Sequence, residues 1–298
     1  MIDSKKYVRV VTNKDLPKVG DSVVINNQNV TFTENGNYEA EYPYTGFGRV
    51  EVDVPIPAGS IYKPVVDGEV TQGDSIDLTG INVIGRYAYY YGFHHAVIAQ
   101  QHIDMSNIEE IKYYGCAYMF QYSQNLISVD LSGLKKIGQG GCDNMFDSCS
   151  DLISADISNL EEIDGSYACA LMFYQTKITS IDVGKIRSVN GYDGCYAMFS
   201  YTKLVSVNFS SLSVLTGQNA FERAFSNVTT LTTVSFPALK SDSFGTYTNQ
   251  FKDMLKNDTG VTVHFPSNLQ SVIGSWSDVQ DGFSGTNTTV LFDLPATE

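Results

Sequence analysis

Five aspartates recur at one position of a repeating pattern: Asp77, Asp104, Asp130, Asp156 and Asp182. On stacked strands they would lie roughly 4.8 Å apart, close enough for their charges to repel. Oxygen-only donors in such a column suit calcium, with Asp104, Asp130 and Asp156 as its candidate ligands. The column also suits a groove for a cationic partner. The third reading is a solvated ladder, softened by water and by hydroxyls two residues earlier, such as Ser128, Ser154 and Ser180. A second column is sulfur: Cys116, Cys142, Cys169 and Cys195, with Cys149 apart. A line of thiols does not enclose the tetrahedron that zinc requires, so these read as small buried apolar groups. The odd number of cysteines, five, weighs against a disulfide framework. Tyrosines form the third set. Of 19 in the chain, Tyr90, Tyr91, Tyr114, Tyr174, Tyr192 and Tyr201 are candidate ligand-binding residues. Tyrosine combines a rigid apolar ring with a polar tip, which suits sugar stacking or protein contact. No catalytic residues and no cofactor other than the candidate calcium are expected. The four histidines show no metal-ligand spacing, and P-loop, G-x-S-x-G and H-E-x-x-H patterns are missing.

What must position these residues is a repeat. Met-Phe pairs stand at Met119-Phe120, Met145-Phe146, Met172-Phe173 and Met198-Phe199, with degenerate copies at Gly92-Phe93, Ala224-Phe225 and Gln250-Phe251. Subtraction gives Phe spacings of 27, 26, 27, 26, 26 and 26 residues. A fixed period of this size denotes stacked units rather than one globular core. In the unit from Leu126 to Asp151, Val129 and Leu131 alternate with Ser128, Asp130 and Ser132. That alternation predicts a half-buried strand. Equivalent strands are expected near 76–78, 103–105, 129–131, 155–157, 181–183, 207–209 and 234–236. Leu134 and Ile137 return to the core through an irregular descent. Cys142, Phe146 and Cys149 then fall at i, i+4 and i+7, the spacing of one face of a short helix.

The order L-x-x-V-x-L-x-x-L-x-x-I, followed by Phe146-Asp-Ser-Cys149-Ser-Asp-Leu152, resembles the BspA-like leucine-rich repeat family. The other units put Ser123, Thr176, Thr202 and Val228 at the Cys149 position, and Met stands where the family commonly has Ala. The resemblance implies an α/β repeat solenoid, with a parallel sheet and short helical segments opposite. It also implies roles in bacterial surface adhesion, host-protein binding or phage structure. The expected organisation is a small all-β domain over 1–57, a linker or N-cap over 58–72, about seven units over 73–260 and a capping segment over 261–298.

The front segment carries Tyr7–Val11, Ser22–Ile25, Asn29–Thr33 and Gly48–Val54 as short β-rich runs. Its stretch Glu34-Asn-Gly36-Asn-Tyr38, followed by Gly46-Phe47-Gly48-Arg-Val-Glu-Val-Asp-Val54, resembles a motif of phage tail and baseplate proteins. Such a likeness implies an attachment domain. The alternative is a β-hairpin that simply caps the first repeat.

Composition narrows the partners. The net charge of −14 argues against nucleic acid and anionic membranes. Neither a transmembrane run nor an apolar signal segment behind Met1 is visible. If Met1 is the natural start, the chain is made in a cytoplasm. The expected function is a phage virion component: tail, baseplate or head fibre, and not an enzyme. It would join other virion proteins through residues 1–57 and bind a host surface protein or polysaccharide through the solenoid, as an oligomer in its assembly. The alternative is a bacterial cell-surface adhesin; a polysaccharide-active enzyme on a repeat scaffold is a third reading.

Overall fold

A computed structural model describes residues 83–85, 89–91, 93–95 and 101–297, together with the backbone of five strands between Lys5 and Val52. The expected strand at 76–78, Asp77 and the segment 58–72 lie outside the described residues. Among the five front strands, Lys5–Val10 pairs antiparallel with Tyr38–Pro43 and parallel with Val50–Val52. Ser22–Ile25 pairs antiparallel with Gln28–Thr31.

The repeats form a parallel β-solenoid of about eight turns. Each coil has three faces. The first carries the predicted alternating strand, as at His102–Asp104, Ser128–Asp130 and Ser154–Asp156, paired in register. These strands begin one residue earlier than expected, but the alternation holds: Val129 and Leu131 are buried while Asp130 is exposed. The ladder then breaks, because 181–183 forms no strand, and resumes at Ser206–Asn208, Thr233–Ser235 and Thr262–Pro266. The second face is a sheet of two-residue strands, from Val83–Ile84 through Glu110–Ile111, Lys136–Ile137, Glu162–Ile163 and Ser188–Val189 to Val214–Leu215. Sequence reading treats this stretch as irregular descent. Two residues are too few to show alternation, and only the neighbouring coils reveal the pairing.

The third face corrects the expectation of short helices. Residues 112–123 form overlapping turns. Odd-numbered amides donate three residues back: Gly115 to Lys112 (2.9 Å), Met119 to Cys116 (3.0 Å) and Ser123 to Phe120 (2.9 Å). Even-numbered amides donate to the next coil: Tyr114 to Gln139 (2.9 Å), Tyr118 to Asp143 (2.8 Å) and Tyr122 to Asp147 (2.9 Å). A helix would keep all of these donors to itself and leave adjacent coils unjoined. The turn run instead places every fourth residue in the left-handed region: Tyr114, Tyr118 and Tyr122, then Gly140, Asn144 and Ser148, and so on. Its four-residue step reproduces the i, i+4 spacing that sequence reading takes for a helix. Among the described residues, α-helices occur only at Gln270–Ile273 and Ser277–Gln280.

Inside, like residues stack on like. Phe93, Phe120, Phe146, Phe173, Phe199 and Phe225 form a column with ring centroids 5.2 to 5.9 Å apart and nearly parallel planes. Such offset stacking adds to the area each ring buries. Phe251 leaves this column. The last coil is longer, so the Phe225 amide meets Met254, and Leu255 takes the next place. Phe251 instead follows Phe221, which continues the column Tyr89, Cys116, Cys142, Cys169 and Cys195. All five thiols are free and buried, and burial pushes each one up from its ordinary pKa. Beyond Thr262–Pro266, the strand Thr289–Leu294 adds one more parallel partner, and Phe283 and Phe292 cover Phe251 and Phe265. Corners are tight: a Cβ on Gly191 would overlap the Gly165 carbonyl. Among the described residues, no helix is long and apolar enough to cross a membrane.

A third interior column is Ser123, Cys149, Thr176, Thr202, Val228 and Asp258. The first four turn an O–H or S–H toward a Phe carbonyl of the stack: Ser123 to Phe93, Cys149 to Phe120, Thr176 to Phe173 and Thr202 to Phe199. Asp258 ends the column, 1% exposed, and burial pushes its carboxyl up to about 7 against a smaller downward pull from the Val228 backbone.

Two stability predictions follow from this interior. Phe146 is 0% exposed, so Phe146→Ala should cost ~3–5 kcal/mol in denaturant unfolding. For Asp258, the unfolded chain ionises near 3.9 while the folded chain holds the proton to about 7. Its contribution therefore falls as pH rises between those values and levels off above them. Asp258→Asn should stabilise the chain at pH 8 by on the order of 2–4 kcal/mol and leave it nearly unchanged at pH 4. Thermal melts of both proteins across pH 4 to 8 measure the difference; a constant gap would contradict it.

Candidate binding surface

The candidate residues occupy two different faces. The aspartates lie on the first sheet face. Asp104, Asp130 and Asp156 are in direct register, followed on the resumed ladder by Asn208, Ser235 and His264. Each carboxylate closes a local turn by accepting the backbone N–H two residues on: Ser106 to Asp104 (2.9 Å), Ser132 to Asp130 (2.8 Å), Ser158 to Asp156 (2.9 Å) and Gly184 to Asp182 (2.8 Å). Aspartate and asparagine favour this geometry because the short side chain mimics a turn carbonyl. The Ser106 hydroxyl and amide hold the Asp104 carboxyl below its usual range. These hydrogen bonds explain why a column of like charge persists at the corner leaving the strand. Among the described residues, no group of three or more His, Cys, Asp or Glu side chains is arranged to hold a metal ion. Elsewhere neighbouring coils alternate charge: Glu109, Lys135, Glu161 and Arg187 form one such column, with Lys135 on Glu109 at 2.9 Å and Arg187 on Glu161.

The tyrosines lie on the turn face and gather in three places. At the front, Tyr91 stacks on Tyr118 with centroids 4.5 Å apart and planes 3° from parallel. Tyr90 meets Tyr91 edge-on at 4.7 Å and Tyr114 at 6.4 Å. His95 stacks on Tyr122 at 4.7 Å. Tyr192 pairs with Tyr167 at 5.6 Å, and Tyr174 pairs with Tyr201 at 5.3 Å. Tyr91, Tyr122, Tyr167, Tyr192 and Tyr201 are exposed, whereas Tyr90, Tyr114 and Tyr174 are half-buried. Of the exposed rings, Tyr91, Tyr122, Tyr167 and Tyr201 sit in the left-handed position of the four-residue step, although Asn144, Asp193 and Asn219 at the same step are buried. Under the front cluster lies Asp143. Burial pushes its carboxyl up to about 6, with hydrogen bonds from Asn144 and Tyr118 and the Asp147 charge as smaller influences.

The structure adds residues that sequence reading passes over. Tyr196, Arg223, Asn227 and Lys256 join Tyr174 and Tyr201 around a surface cleft. Arg223 stands at the column position of Tyr118, Asn144, Leu171 and Ala197. The signal that could have found it is the four-residue step; the helical reading hides it, and the longer last coil hides the match of Asn227 to Asn257.

No family model, curated protein or solved structure matches the chain.

The turn role of the aspartates can be separated from a cation role. Asp130→Asn keeps an oxygen acceptor for the Ser132 amide, so it should leave the melting temperature nearly unchanged. Asp130→Ala removes that acceptor and should cost ~0.5–1.5 kcal/mol. Equal losses from both substitutions, together with a melting temperature that millimolar calcium raises in the parent alone, would show the charge itself at work.

Proposed function

We propose that this chain is a phage virion structural protein of the tail, baseplate or head fibre whose solenoid binds a host surface protein or glycan. The observation that supports the reading is the exposed aromatic strip on the turn face, where stacked rings stand at left-handed backbone positions. Aromatic rings fixed before contact lose little entropy on binding, which suits recognition. Residues 1–57 serve as the attachment domain. Their stretch Gly46-Phe47-Gly48-Arg-Val-Glu-Val-Asp-Val54 resembles phage tail modules, and their charge is nearly balanced, with six Lys or Arg against eight acids. The rest of the chain carries 13 against 25 and is the acidic, outward part. Kinship with BspA-like leucine-rich repeats belongs to the same proposal and rests on the repeated order of apolar residues, with turns standing where that family's helical side would be.

Purified particles should contain the chain by mass spectrometry, and an excess of free chain should block their adsorption to host cells. Tyr91→Asn with Tyr122→Asn should weaken that block at least tenfold while leaving the melt unchanged, because asparagine accepts the left-handed backbone of both positions. A free chain that never competes, or a double variant that competes equally well, would overturn the assignment of this face.

A further inference from the structure

The cleft on the turn face of the late coils brings cations and aromatic rings together on an acidic chain. It encloses ≈ 280 Å³ between Tyr174, Tyr196 and Tyr201 on one side and Arg223, Asn227 and Lys256 on the other. The chain carries only 19 Lys and Arg against 33 acids, yet two cations line this one depression. Arg223 is the informative member. Its Nε is buried and has no hydrogen-bond partner among the described residues. Its ion-pair partners Glu222 and Asp253 stand 4.0 and 3.9 Å from Nε, close enough for charge pairing but too far for a hydrogen bond. Glu222 is instead engaged by Lys252 at 3.0 Å, and Asp253 by Lys256 at 3.2 Å. The side chain as a whole is 41% exposed, and an exposed planar guanidinium is the group best matched to a carboxylate. Opposite it, Tyr174 and Tyr201 meet at 69°, which leaves two ring faces at different inclinations. The amides of Asn227 and Asn257 lie along the same rim.

We propose that this cleft is a subsite for one carboxylate-bearing sugar ring of an acidic polysaccharide. The inference rests on the reading of the solenoid as a host-binding surface and names the ligand class. Arg223 and Lys256 receive the carboxylate, the tyrosine rings cover an apolar sugar face, and the asparagine amides meet hydroxyls. The volume falls just under the range of drug-sized pockets, so a single ring fits and the chain continues over the surface. Asp253 sits beside both cations as an internal competitor for them. The larger cleft of ≈ 790 Å³ in the C-terminal cap does not match this chemistry: it is lined by residues such as Gln270, Gln280, Asp281 and Thr288, with no cation.

Calorimetry on the full chain tests the assignment with trisaccharides of galacturonate, glucuronate and mannuronate, neutral trisaccharides of the same linkages, a sulfated trisaccharide and triglutamate. At least one uronate should bind ten or more times tighter than its neutral counterpart. Arg223→Asn, which suits the left-handed backbone there, should abolish that preference without changing the melt. Asp253→Asn should strengthen uronate binding several-fold by freeing the two cations. That gain cannot come from a damaged fold. Equal binding of neutral sugars, tighter binding of the sulfated sugar or of triglutamate, or weaker binding by Asp253→Asn would each overturn the proposal. Cell adsorption by Arg223→Asn separates the two readings. Adsorption retained beside lost uronate binding removes the cleft from host recognition and leaves the aromatic strip standing. A parent chain that adsorbs to no host removes the host-binding reading, while the calorimetry still judges the cleft.

Discussion

Every backbone amide on the turn face must find a carbonyl, and half of them find it on the next coil. This alternation is the constraint on which the molecule depends. Buried peptide groups left unpaired are costly, so the chain can stack only where the donors of one coil meet the acceptors of the next. The two sheet faces meet the requirement with parallel strands. The third meets it by dividing its amides between the turn three residues back and the neighbouring coil. Because the pairing runs along the short-strand and turn faces and is interrupted on the first face only at 181–183, the interior side chains fall into register as columns of Phe, Cys and Ser or Thr.

The same constraint explains the strained positions. A side chain in the left-handed region costs roughly 1–2 kcal/mol, and here such residues recur every fourth position along the turn face. Asparagine, aspartate, serine and glycine take some of them, but Tyr, Leu, Gln, Ala and Arg take others. The inter-coil hydrogen bonds and the packed Phe column hold these residues in place. Tyr91, Tyr122, Tyr167 and Tyr201 are among the residues so held, and their rings are exposed. In the proposed host-binding role, rings held in this way would need little reordering.

The charge pattern divides the faces further. On the first sheet face, carboxylates stack like upon like and are tied down by their own turns. On other columns, lysine or arginine alternates with glutamate, an arrangement of small worth per pair at an exposed surface. The late turn face combines cations with rings in one cleft. The acidic bulk of the molecule would repel an anionic polymer at long range, and salt would screen that repulsion beyond about 8 Å. Contact at the cleft therefore depends on short-range hydrogen bonds and stacking.

By itself the sequence determined the period, the parallel stack, the inward Phe and Cys columns and the outward aspartates. Each is carried by residues that recur in the same local setting, as Val129 and Leu131 alternate around Asp130. The tertiary structure alone decided the rest. A step of four residues reads the same whether a helix or a turn ladder makes it, and only the inter-coil bonds from Tyr114, Tyr118 and Tyr122 distinguish the two. Strands of two residues, such as Lys136–Ile137, have no local signature. The longer last coil moves Leu255 into the place that spacing gives to Phe251. The cleft joins Tyr174, Tyr201, Arg223 and Lys256 across more than one coil. All of these are contacts between residues some 26–30 apart in the chain, where local periodicity carries no information and the hydrogen-bonding of stacked coils does.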